Sequence, residues 1–127
     1  MTSILVITDQ PAVLVILPAI LAGEGHQVTG AADVLSGLRQ LTETSFNVVI
    51  TDIRLPGLSA EALIGRGKVR APNTRFLAII GGGQPSAPPA ADRADKFWAD
   101  GLLLRPFKES DLLAVVAELL AESRAFG

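Results

Sequence analysis

Five short apolar runs recur along this chain, at 4–7, 28–32, 46–51, 76–80 and 102–104. Runs of this length that are rich in valine, isoleucine and leucine are typical of strands buried on both faces of a sheet. Segments with helical spacing or helix-start residues lie between them. The alternation predicts a single parallel α/β sheet whose two faces are covered by helices.

The intervening helices are predicted over about 11–22, 34–43, a short stretch after Ser59, about 90–99 and 112–122. Pro11 suits a first helical turn, because the missing N–H has no partner there in any case. Asp33 and Ser59 are residues whose side chains cap helix N-termini. Three leucines are spaced for one buried face of the second helix: Leu35, Leu38 and Leu41.

The composition excludes several kinds of site. With 0 cysteines there is no disulfide scaffold, thiolate zinc site or cysteine nucleophile. The single histidine, His26, rules out a histidine metal cluster and disfavours a Ser-His-Asp triad. Lys and Arg number 11 against 13 Asp and Glu, which argues against a nucleic-acid partner.

The chain is apolar for a small domain, with 49% hydrophobic residues and a mean hydropathy of +0.42. Its longest apolar stretch, 4–22, is interrupted by Thr8, Asp9 and Gln10, and the remainder is shorter than the ~20 residues of a spanning helix. No positive charge precedes Ile4, which disfavours a signal peptide. We therefore expect a cytoplasmic protein without a membrane partner, forming one domain over 1–127 with no output domain.

Chemistry in an open parallel α/β sheet is found at the carboxyl ends of the strands. The residues that fall there are Thr8 and Asp9 after the first strand, Asp52 after the third, Gly81 after the fourth and Arg105 after the fifth. Either aspartate alone is better explained as a helix cap or a solvated turn residue. Two carboxylates beside a guanidinium on one rim favour a functional site.

Three segments carry a family resemblance: ILVITDQP at 4–11, VVITDIRLPG at 48–57 and LLLRPF at 102–107. Over essentially its whole length the chain resembles the receiver domain of two-component response regulators. The resemblance implies a flavodoxin-like (βα)5 fold, a doubly wound five-stranded parallel sheet with helices on both faces. It also implies Mg²⁺ and a phosphoryl group accepted from a histidine kinase or phosphotransfer protein.

By position in that family pattern, Asp52 matches the phosphoacceptor, whose carboxylate attacks the phosphoryl group in line to make an acyl phosphate. Asp9 matches the main metal-binding acid. Asp52 and the backbone carbonyl of Arg54 complete the protein ligands of the metal. Arg105 matches the lysine that pairs with the phosphoryl oxygens.

The switch positions depart from the family pattern. Thr8 replaces the first acid, so we expect weak Mg²⁺ binding. Gly81 replaces the switch hydroxyl and Leu102 replaces the rotating aromatic residue. The family's usual conformational relay therefore lacks both its hydroxyl donor and its aromatic ring. Arg105 replaces an ammonium with a planar fork that can hold phosphate or pair with Asp52 itself. These changes predict an atypical stand-alone receiver that signals by protein–protein contact.

Two alternatives stay open. One is a phosphorylation-independent pseudo-receiver that serves purely as an interaction or dimerisation module. The other is a small Mg²⁺-dependent phosphohydrolase, which would need a second acid where this chain has Arg54. That mismatch makes the enzyme the weaker alternative, and we expect no enzymatic activity.

The first helix suggests a contact surface. Aligned on GHQV at 25–28, its core-facing residues are predicted to be Val13, Ile16, Leu17, Ile20 and Leu21. Its outward residues are predicted to be Leu14, Val15, Pro18, Ala19 and Ala22. None of the outward residues is polar, which favours an interface with a partner protein or a homodimer. The competing explanation is an alanine-rich composition that simply leaves an apolar surface.

Overall fold

The computed structural model describes residues 2–52, 60–80 and 99–126, in which five strands alternate with four helices. The elements are β1 (Ser3–Ile7), α1 (Pro11–Gly23), β2 (Gln27–Ala31), α2 (Val34–Glu43), β3 (Val48–Asp52), α3 (Ala60–Arg70), β4 (Arg75–Ile80), β5 (Gly101–Leu104) and α4 (Glu109–Phe126). All five strands lie within a residue or two of their predicted positions. The helix predicted over about 90–99 falls outside the described residues, apart from Ala99, which is not helical.

The strands form one parallel sheet in the order β2-β1-β3-β4-β5. This order reverses direction at β1, as in flavodoxin-like folds. The three central strands are buried almost throughout, which explains why they read as continuous apolar runs rather than as alternating ones. The predicted doubly wound fold is confirmed.

Two apolar cores cover the two faces of the sheet. On one face, Leu17 and Leu21 of α1 and Leu112 and Val116 of α4 pack against the strands. On the other face, the strands meet buried side chains of α2 and α3, among them Leu38, Leu41, Leu63 and Ile64. The helices are therefore anchored by tertiary packing on both sides.

Helix α2 begins as predicted, because the side chain of Asp33 accepts a hydrogen bond of 2.7 Å from the Ser36 amide. That hydrogen bond holds the pKa of Asp33 below its usual value. The predicted buried face is wrong for Leu35, which is 68% exposed. Leu38 and Leu41 are buried as predicted, and Val34 and Gly37 complete the buried face in place of Leu35.

Helix α1 packs against the core through Val13, Leu17, Ile20 and Leu21, as predicted, but two of its residues differ from the prediction. Ile16, predicted to face the core, is 55% exposed, whereas Leu14, predicted to face water, is half-buried. Leu14 packs over β2, where a Cβ added at Gly30 would lie 3.1 Å from its Cδ2. The missing side chain at Gly30 leaves room for this contact.

The outward face of α1 is consequently a stripe at i, i+3, i+4 and i+7 spacing, which we call the α1 face: Ala12, Val15, Ile16, Ala19 and Ala22. Val15 is 70% exposed. The helix runs without a break through Pro18 and contains no charged or polar residue. None of the helices within 2–52, 60–80 and 99–126 combines the length and the apolar character needed to cross a bilayer.

A close approach explains one of the glycines in α3. The ring of Phe76, fully buried on β4, lies so near Gly67 that a Cβ there would be 2.5 Å from its Cζ. Gly67 lowers the intrinsic stability of the helix. Its absent side chain is what leaves room for the Phe76 ring beside α3.

Candidate functional site

The strand register brings the predicted site residues to one edge of the sheet. Ile7 of β1 pairs with Thr51 of β3, so Thr8 and Asp52 follow side by side at the carboxyl ends of these strands. Arg105 follows β5 at the same edge, where its amide donates a 2.8 Å hydrogen bond to the carbonyl of Ile80. We call this the C-terminal edge.

Asp52 and Arg105 form an ion pair at the C-terminal edge. Nη2 of Arg105 donates to Oδ2 of Asp52 at 3.1 Å, with side-chain exposures of 22% and 6%. The guanidinium reaches from β5 across β4 to the end of β3. A carboxylate this well buried needs a hydrogen-bonded countercharge, and Arg105 supplies it.

Gln10 holds the other side of the guanidinium. Its Oε1 accepts a 3.2 Å hydrogen bond from Nη1 of Arg105. The backbone amide of Gln10 donates to the Thr8 hydroxyl, also at 3.2 Å, and its carbonyl accepts from Val13 and Leu14 in the first turn of α1. The Arg105 guanidinium therefore links the start of α1 to the end of β3 through these hydrogen bonds.

Sequence reasoning missed Gln10. The available signal was its position directly after Asp9, at a strand end whose side chains face the predicted site. Nothing in the local sequence shows that its amide oxygen meets an arginine 95 positions away.

The remaining predicted residues take different positions. Thr8 is 1% exposed; its amide donates to the carbonyl of Ala31 and its hydroxyl serves the turn at Gln10. Asp9 is exposed on the same edge. Leu102 is half-buried on β5 and packs against the core that contains α2 and α3. Arg54 and Gly81 lie outside the described residues.

A sequence profile described as "Response regulator receiver domain" matches residues 4–117. The chain belongs to the receiver domain family. Receiver domains are signalling proteins of two-component systems and generally not enzymes.

Curated relatives share part of their length with this receiver domain. It is 31% identical over 120 residues to the transcriptional regulatory protein FixJ of Bradyrhizobium diazoefficiens, covering 94% of this chain and 57% of the relative. It is 28% identical over 117 residues to the response regulator protein FleR of Pseudomonas aeruginosa, covering 90% of this chain and 24% of the relative. The receiver domain thus spans about half of the first relative's length and about a quarter of the second's.

Two solved structures match the receiver domain along essentially their whole length. A response regulator receiver domain protein from Clostridium thermocellum superposes with a TM-score of 0.88 at 28% identity, covering 100% of both chains. A CheY-like receiver domain protein from Methanospirillum hungatei gives 0.88 at 26% identity, covering 100% of this chain and 99% of the other.

Receiver domains generally bind Mg²⁺ at the phosphorylation site. Mg²⁺ requires oxygen ligands in near-octahedral geometry. Among the described residues of the C-terminal edge, the carboxylates are Asp9 and Asp52, and one oxygen of Asp52 is already bonded to a guanidinium. Within the described part of the chain no three acidic, histidine or cysteine side chains group as a metal site. These residues do not fit a divalent cation in the observed arrangement.

Proposed function

We propose that this receiver domain accepts a phosphoryl group on Asp52 from a histidine kinase or phosphotransfer protein. The observation that carries the proposal is the ion pair of 3.1 Å between Asp52 and Arg105 at the C-terminal edge, inside the region that matches the family profile. A carboxylate that could act as a nucleophile and a guanidinium that could bind phosphate are in hydrogen-bond contact there, which supports the proposal.

In the proposed transfer, a carboxylate oxygen of Asp52 attacks phosphorus in line and forms the P–O bond of an acyl phosphate. The P–N bond of the donor phosphohistidine breaks, and its electron pair remains on the imidazole nitrogen. Arg105 then turns its donors from the carboxylate to the new phosphoryl oxygens, which carry more negative charge. The same guanidinium pairs with the carboxylate of Asp52 before phosphorylation and with its phosphoryl group afterwards, so no additional cationic side chain is required.

The signal would leave the domain by protein–protein contact. Thr8 and Leu102 lack the acid and the aromatic ring of the family pattern, which argues against the usual relay through the strand-five position. The exposed apolar α1 face offers a contact surface instead. We propose that it meets the phosphodonor partner or a second copy of this chain.

The phosphoryl proposal is tested with acetyl phosphate, from which transfer releases acetate. The purified chain is incubated with the donor and excess Mg²⁺, and its intact mass is measured. We expect the mass to rise by one phosphoryl group in the wild-type chain. Asp52→Asn should show no increase.

An unmodified wild-type chain, or equal modification of Asp52→Asn, would contradict the proposal. The first outcome would favour the pseudo-receiver alternative, because the carboxylate of Asp52 is already satisfied by Arg105. Hydroxylamine treatment provides a chemical control, since it cleaves an acyl phosphate and should return the wild-type mass.

A further inference from the structure

The charge balance at the C-terminal edge differs from what a divalent cation needs. Asp52 is the buried carboxylate and carries one negative charge, and Arg105 meets it with one positive charge at 3.1 Å. Thr8, beside Asp52 in the register, is neutral and its hydroxyl is occupied by the amide of Gln10. A dication placed beside Asp52 would face the repulsion of the guanidinium, and the other acid among the described residues of this edge, Asp9, is exposed.

The guanidinium is held in place as well as attracted. Its two terminal nitrogens bond to acceptors on two different elements, Nη1 to Gln10 and Nη2 to Asp52. The Gln10 backbone is itself tied to Thr8 and to the first turn of α1. Because an amide oxygen accepts a hydrogen bond without neutralising the charge, Gln10 orients Arg105 and leaves its full charge for Asp52.

We propose that the guanidinium of Arg105, oriented by Gln10, is the resident counter-cation of Asp52 and excludes divalent cations from the C-terminal edge. Gln10 is a positioning residue in this arrangement. The proposal rests on the proposed function only in taking Asp52 as the residue that is modified. It also gives the phosphoryl transfer a specific regulation: the cation comes from the chain, so the reaction does not follow the Mg²⁺ concentration.

The test measures Mg²⁺ binding alone, without a phosphodonor, by isothermal titration calorimetry and by the shift of the thermal unfolding midpoint. We expect no saturable binding at millimolar Mg²⁺ in the wild-type chain. Arg105→Met keeps much of the side-chain length and removes the charge, and it should bind Mg²⁺ at least about tenfold more tightly than wild type. Adding Asp52→Asn to this variant should abolish that gain.

A second variant covers the case in which Arg105→Met fails to fold. Gln10→Ala leaves both charges of the ion pair in place and removes one of the two acceptors of the fork. It should raise Mg²⁺ affinity by a smaller factor than Arg105→Met, because the guanidinium is freed to move but is still attracted to Asp52.

The matched control is Arg70→Met, which makes the same charge change at an exposed position at the end of α3. Arg70 lies beside Thr44–Asn47 and Pro72–Thr74, at the opposite edge of the sheet. It should leave Mg²⁺ binding unchanged. Equal Mg²⁺ affinity in wild type and Arg105→Met, or an equal gain in Arg70→Met, would overturn the proposal.

The phosphodonor experiment separates the two proposals. Acetyl phosphate with excess EDTA should modify the wild-type chain as fully as acetyl phosphate with Mg²⁺. Modification that requires Mg²⁺ would support Asp52 as the acceptor, but it would overturn the proposal that Arg105 is the counter-cation of Asp52. No modification under either condition would contradict the proposed function, while the Mg²⁺ titrations would still decide the role of Arg105.

Discussion

The residue that most distinguishes this receiver domain is Arg105. Its side chain is 22% exposed and that of Asp52 is 6% exposed. The loss of the ion pair should therefore cost the more buried Asp52 carboxylate more than it costs the Arg105 guanidinium. Without Arg105, a nearly buried carboxylate would lose the charged partner that lies 3.1 Å from its Oδ2. Without the charge of Asp52, the guanidinium can still turn toward water and toward Gln10.

This asymmetry predicts different stability losses for the two partners. Arg105→Met should lower the free energy of unfolding by about 2–3 kcal/mol, somewhat less than is typical of a fully buried pair because the arginine remains partly hydrated. Asp52→Asn should cost less than Arg105→Met, since an amide in the same place carries no charge to desolvate. Urea unfolding at neutral pH measures both losses, and the reverse order would contradict the geometry described for the pair.

Residue positions at the C-terminal edge were predictable to the extent that strand ends determine them. Parallel strands of a single sheet bring their carboxyl ends to the same edge, so Thr8, Asp52 and Arg105 were expected on one edge once the strands were recognised. The bond between Gln10 and Arg105 was not predictable. It depends on how two long side chains, far apart in sequence, settle around the same carboxylate.

Among the elements, the strands were predicted more completely than the helix faces, which were wrong at Ile16 and Leu35. A strand buried on both faces has a continuous apolar run, which sequence shows directly. Helix α1 is apolar all round, so its sequence contains no periodicity to tell the core face from the outer face. Gly30 on a neighbouring strand leaves room for its Leu14.

Glycines in two helices provide a test of this packing. In isolation both Gly67→Ala and Gly23→Ala should favour the helix by up to about 1 kcal/mol. A Cβ at Gly67 would lie 2.5 Å from the buried ring of Phe76, whereas a Cβ at Gly23 would meet no atom within 4 Å. We expect Gly67→Ala to destabilise the domain by about 1–3 kcal/mol through overpacking and Gly23→Ala to be neutral or stabilising. Thermal unfolding of the two variants measures the difference, and stabilisation by Gly67→Ala would show that the ring moves aside freely.

At the scale of the whole molecule, apolar residues are distributed unevenly over the surface. Most of the 49% apolar content is accounted for by the two cores on either side of the sheet. The α1 face is a continuous exposed stripe, whereas the other large exposed apolar side chains, such as Leu35 and Val69, lie on separate helices. A stripe with helical spacing is the form of surface that packs against another helix.

The arrangement predicts that one charge on the α1 face will change how the chain associates. Val15 is 70% exposed and Val69, on α3, is 84% exposed, so Val15→Glu and Val69→Glu add the same charge at similarly open positions. Each should change the free energy of unfolding by no more than about 0.5 kcal/mol, because neither side chain belongs to a core. If the α1 face joins two copies, sedimentation velocity should show an association of the wild-type chain that rises with concentration, persists in Val69→Glu and is lost in Val15→Glu.

A wild-type chain that stays monomeric at all concentrations would contradict the homodimer. Equal loss in both variants would instead mean that added negative charge, rather than the α1 face, controls the association.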